Sequence, residues 1–127
     1  MNKKDFLSLI KSSVINKNKP MVMRVRPTKG DKVNIVCDIT LITPADKVKI
    51  IFVSNSFSKR KDALTVYQFI EQFPIESVYD SFSIITFVSS FNGKANSPCW
   101  PQELNESNFY IKENDNNVEL VILVKQL

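Results

Sequence analysis

Three alternating apolar segments lie end to end between Met21 and Phe52, and they restrict the fold more than any other feature of the chain. Met21, Met23 and Val25 are followed by Val33, Ile35, Cys37, Ile39 and Leu41, and then by Val48, Ile50 and Phe52. A period of two places each set on one side of an extended strand. Pro27-Thr28-Lys29-Gly30-Asp31 and Thr43-Pro44-Ala45-Asp46 supply turn residues between them. The pattern predicts a three-stranded antiparallel meander with one apolar face. Its opposite face then carries Arg24, Arg26, Lys32, Lys47 and Lys49 beside Asn34, Asp38 and Thr40.

Helical patterns flank the meander. Asn2 can cap a first helix with Asp5 three positions on, and Phe6, Leu7, Ile10 and Val14 form its apolar stripe. That helix should end before Asn18-Lys19-Pro20, because proline restricts the residue ahead of it. A second helix is expected to begin near Ser58 and run to Phe73, with Ala63, Val66, Tyr67, Ile70 and Phe73 on its core side and Pro74 as its stop. Phe82 to Phe91 reads as a fourth strand. Phe109 to Lys112 and Val118 to Lys125 can pair around Asn114-Asp115-Asn116-Asn117. Residues 92–108 read as a long loop. The expected fold is a single α+β domain over 1–127, of order αβββαβββ, with an antiparallel or mixed sheet packed against one or two helices. An apolar fraction of 43% and only two glycines suit such an ordered core.

Charge is divided unevenly along the chain. Residues 1–62 hold 14 Lys+Arg against 5 Asp+Glu, and residues 63–127 hold 3 against 8, so the two parts carry +9 and −5 within a total of +4. The sign of a surface bounds its class of partner. Two local features give the basic part an address. Arg24, Arg26, Lys47 and Lys49 on the meander face can neutralise phosphates. Lys59, Arg60 and Lys61 fall at the expected start of the second helix, where free N–H groups already favour an anion. The plainer readings are a solvated sheet face and a solvated surface cluster balanced by the acidic part. Trp100, between Pro98 and Pro101, is either a protein-partner anchor on a rigid loop or a cap on the core.

Chemistry is bounded mainly by what is missing. The sequence has no histidine, so Ser-His-Asp and Cys-His arrangements and histidine metal sites cannot be built within it. Cys37 alternates with core residues, Cys99 has no identifiable activating base, and two cysteines make neither a disulfide framework nor a zinc quartet. Glu71, Glu76, Asp80, Glu103 and Glu106 show no spacing that requires acid–base chemistry. No catalysis, metal or cofactor is expected. Asp5, Lys11, Ser12 and Ser13 interrupt any signal-peptide core, and no apolar run approaches the roughly 18 residues of a membrane span. A cytoplasmic location without a membrane association is the expectation.

The order α-β-β-β-α over residues 3–73, with Ser58-Lys59-Arg60-Lys61-Asp62-Ala63 at the second helix, resembles the double-stranded-RNA-binding domain and its Ser-Lys-Lys-x-Ala pattern. That resemblance implies phosphate contacts from the helix start across a groove. The family's glycines ahead of the helix and its Gly-Pro-x-His turn are missing here. The expected function is a small non-enzymatic binding protein whose basic part engages RNA, DNA or a nucleoprotein. The alternative is a protein-binding inhibitor or regulator of the immunity, antitoxin or phage and mobile-element antagonist type. Self-association of oppositely charged faces is a further possibility.

Overall fold

A computed structural model describes residues 1–27, 35–56, 63–89 and 99–124. Its elements are α1 (Lys3–Ser13), β1 (Met21–Pro27), β2 (Ile35–Ala45), β3 (Ile50–Ser56), α2 (Val66–Glu71), β4 (Ser83–Ser89), β5 (Cys99–Glu103), β6 (Phe109–Glu113) and β7 (Val118–Val124). One seven-stranded sheet runs in the order β5-β4-β3-β2-β1-β7-β6. The expected meander is present, since β1, β2 and β3 pair antiparallel in succession. The β1–β7 and β3–β4 pairs are parallel, so the sheet is mixed. The α+β class stands, but a strand at 99–103 replaces part of the expected loop, and the order becomes αβββαββββ.

Chain connectivity curls this sheet. β5 and β6 occupy opposite edges of the sheet, yet only residues 104–108 separate them in sequence. Such a link spans at most about 20 Å, whereas the edges of a flat seven-stranded sheet are about 29 Å apart. Hydrogen bonds cross the closing side: the Gln102 side-chain amide donates to the Leu123 carbonyl (3.2 Å), and that of Asn108 to the Glu103 carbonyl (2.7 Å).

Inside the curl, Met23, Ile51, Val53, Ile84, Leu120 and Ile122 are buried with Phe6 and Ile10 of α1 and Phe69 of α2. Phe6 stands at the centre of an aromatic group, with ring centroids 6.2, 5.9 and 5.7 Å from Phe69, Phe73 and Phe109. The buried hydroxyl of Thr86, on β4, donates to the Val53 carbonyl (3.0 Å), which removes the cost of burying it bare.

The expected core face holds only as far as Ile39. The β2–β3 register slips between Ile39 and Leu41, so Ile42 is buried while Leu41 is 55% exposed. One inserted residue exchanges the two faces of a strand. β3 consequently buries Ile51 and Val53, while Ile50 and Phe52 are only half-buried and Val48 lies in a 3₁₀ turn outside the strands. Both parities of β3 are apolar in sequence, so alternation alone could not choose between them.

The second helix also differs. It begins at Val66, where Thr65 and Gln68 close a capping box: the Thr65 hydroxyl accepts from the Gln68 N–H (3.2 Å) and the Gln68 side chain accepts from the Thr65 N–H (2.9 Å). Ala63 and Leu64 precede it in non-helical backbone. The Leu64 carbonyl accepts from Met21 N–H (2.7 Å), and the Val66 N–H donates to Lys19 (3.1 Å), which ties this segment to the start of β1. A helix starting at Ser58 is therefore corrected, and with it the helix-start geometry that the double-stranded-RNA-binding resemblance requires.

Candidate anion-binding surface

Arg24 and Arg26 stand on β1, opposite Val121 and Leu123 of β7, on the outer side of the curl. Their settings differ. The Arg24 Nε donates to a carboxylate oxygen of Glu119, and the Asn114 amide donates to the other oxygen (2.7 Å). Glu119 is buried, and burial by itself favours the neutral acid; the Arg24 and Asn114 bonds outweigh that and hold its carboxyl below the usual carboxylate range. Arg26 is exposed, and its guanidinium donates to the Tyr110 hydroxyl (3.0 Å).

Lys47 and Lys49 do not share that strand face. Both are exposed in the 3₁₀ turn that joins β2 to β3. Lys49 takes left-handed backbone (φ 54°, ψ 47°), with its N–H on the Asp46 carbonyl (3.3 Å) and its own carbonyl accepting from Ser83 N–H (3.2 Å). Asp46 accepts from the Tyr79 hydroxyl, which raises the phenol above its ordinary value. Val36, the partner of Arg24, lies nine residues before Ala45 along β2, so about 30 Å of strand separates the arginines from the lysine turn. Lys59, Arg60 and Lys61 lie outside the described residues. Trp100 lies on edge strand β5, opposite Val88, rather than on a loop.

Part of the basic sequence is neutralised internally by the acidic one. The three ion pairs between described residues are Lys3 with Asp80 (3.1 Å), Lys19 with Glu113 (2.8 Å) and Arg24 with Glu119, and each joins residues 1–62 to residues 63–127. Lys3 is itself buried and also donates to the Pro74 carbonyl (2.7 Å). Glu113 additionally accepts from the Ile15 and Asn16 N–H groups (2.7 and 3.3 Å), fixing the segment after α1; its bond from Lys19 is the main reason its carboxyl is lowered. Asp80 is among the carboxylates singled out in sequence, whereas Glu113 and Glu119 are not. Glu119 did carry a signal, because an acid between Val118 and Leu120 in an apolar strand needs a partner.

Cys37 is buried, and burial, with the Asp38 charge adding to it, pushes its thiol up to about 11, so it stays protonated at neutral pH and acts as packing. Among the described residues no group of three or more Cys, Asp or Glu is placed to hold a metal ion, and no helix is long and apolar enough to cross a membrane.

A second outer feature lies on the other side of β2. The Phe52 and Phe87 rings, from neighbouring strands β3 and β4, stack at 5.5 Å with 14° between their planes, and both residues are half-buried. No protein-family model, curated protein or solved structure matches this chain.

Proposed function

We propose that this chain is a non-enzymatic binding protein whose N-terminal part engages an anionic partner such as RNA, DNA or a nucleoprotein. The observation that carries this reading is the exposure of Arg26, Lys47 and Lys49, none of which has a carboxylate at ion-pair distance among the described residues. Arg24 is a weaker contributor because Glu119 already holds it. Lys59, Arg60 and Lys61 follow β3 in sequence and add to the same charge. Affinity for a duplex or single-stranded probe should fall steeply between low and moderate salt. Lys47→Glu with Lys49→Glu should weaken it about tenfold or more while leaving stability within about 0.5 kcal/mol. Salt-independent or unchanged binding would remove the lysine turn from the reading.

The half-exposed Phe52–Phe87 stack supports a second reading, an inhibitor or regulator acting by protein contact. Aromatic side chains on a rigid sheet concentrate binding energy; in the adjoining strand β5 it is Pro101 that stands opposite Phe87, while Trp100 stands opposite the core residue Val88. Recovery from lysate with and without nuclease separates the two readings. Partners lost on nuclease treatment support the anionic one; a stoichiometric, nuclease-resistant protein whose capture fails with Phe52→Ser or Phe87→Ser supports the other.

A further inference from the structure

Strand β6 lies at an edge of the sheet, and its ladder defines which backbone groups face away from it. Bonds from Leu123 N–H to the Asn108 carbonyl and from Asn114 N–H to the Asn117 carbonyl, both 2.8 Å, bracket the β6–β7 pairing. In an antiparallel pair, bonded and non-bonded positions alternate. Tyr110 and Lys112 therefore turn their N–H and C=O groups towards Val121 and Glu119, while Phe109, Ile111 and Glu113 turn theirs away from β7. No described residue donates to or accepts from those outward backbone groups. A row of such groups is a template for another strand.

A groove of about 530 Å³ runs beside that edge, between α1 and β6. Asp5, Leu9 and Ser13, spaced one turn apart on α1, form one wall, and Ile111 lies on the other. Asp5 and Glu106 are exposed carboxylates at the groove; among the described residues no Lys or Arg lines it, and the ammonium of the lining residue Met1 is taken up by the Leu104 carbonyl. Apolar floor, carboxylate rim and open backbone edge together specify the occupant. We propose that this groove takes an extended basic segment of a partner protein, which adds to β6 as an eighth strand. The mode is β-strand addition, with main-chain bonds giving affinity and Asp5 and Glu106 selecting lysine or arginine. The groove adjoins the cationic surface above at Tyr110, which lines it and whose hydroxyl accepts from Arg26 (3.0 Å), but the side chains on its own rim carry the reverse charge.

The test uses the full chain and a blocked Lys-Val-Lys-Val-Lys peptide, its alternately N-methylated form and a Glu-Val-Glu-Val-Glu control. The lysine peptide is expected to bind and to slow exchange of the Phe109 and Ile111 amides. N-methylation should cost about tenfold in affinity by removing two main-chain donors. Asp5→Asn with Glu106→Gln, both at exposed positions, should cost about fivefold at low salt. Absence of binding at millimolar peptide, equal binding of the N-methylated or the glutamate peptide, or indifference to the carboxylate changes would each overturn the proposal. Protection of the two amides that rises with protein concentration in the absence of peptide would overturn it too, because the occupant would then be a second copy of this chain.

Discussion

On one side of β2 stand β1, β7 and β6, and on the other stand β3, β4 and β5. In each flank the antiparallel neighbour of β2 takes a parallel partner, which in turn takes an antiparallel edge strand. The backbone pattern is the same, but the outer surfaces are opposite. The β1–β7–β6 flank puts Arg24, Arg26, Glu119 and Tyr110 outside and links them through side-chain hydrogen bonds. The β3–β4 flank puts a stacked pair of aromatic rings outside, with Ile85 of β4 paired to Phe52. Hydrogen-bond topology therefore fixes where strands lie and leaves the chemistry of the exposed face to individual side chains.

The sharpest way to break this contrast is to strand the buried acid. Arg24→Met should destabilise the fold by about 2–4 kcal/mol, because Glu119 stays buried with Asn114 as its remaining partner. Arg24→Met with Glu119→Leu should recover much of that loss in urea unfolding. A single variant as stable as the parent would show that the ion pair does not anchor this flank.

The aromatic flank should respond less. Phe52→Ala and Phe87→Ala are expected to cost about 1–2 kcal/mol each, with a coupling of about 0.5–1.5 kcal/mol in a double-mutant cycle. Strict additivity would mean that the rings share a surface without stabilising each other.

Acid sensitivity gives the smallest and most specific difference. Glu119 and Glu113 have folded values below the ordinary 4.5, so their contribution is complete above that value and is lost as pH falls through the lowered ones. Glu119→Gln with Glu113→Gln should flatten the acid limb of a stability–pH curve, whereas Phe52→Ala should shift it without changing its shape. Parallel curves for all variants would assign the acid response to other groups.

Legibility in sequence followed the range of each interaction. The Asn2 cap accepts from the Asp5 N–H (2.9 Å) as expected, and the turn at Asn114–Asn117 closes the β6–β7 hairpin. Both depend on residues within a few positions. The start of α2 was misplaced because Ser58 and Thr65 are both acceptable caps, and the choice fell to Thr65, whose neighbours Leu64 and Val66 bond to residues 19–21. The basic face was only partly legible, since β2 runs on through the expected turn residues Thr43–Ala45 to pair with β3, and the reversal falls at Asp46–Lys49, which takes Lys47 and Lys49 off the strand face.

By itself the sequence determined an α+β chain, the antiparallel meander from β1 to β3, the first helix and a division of charge between the two parts. These follow from alternation, caps and turn residues, which act over a few bonds of chain. Tertiary structure alone decided the parallel β1–β7 and β3–β4 pairs, the face that β3 buries and the carboxylates that take up Lys3, Lys19 and Arg24. The Lys19 and Arg24 bonds join residues 94 and 95 positions apart. No local pattern encodes such distances, because these contacts form only where the curled sheet brings its apolar faces together and leaves buried charges to find partners.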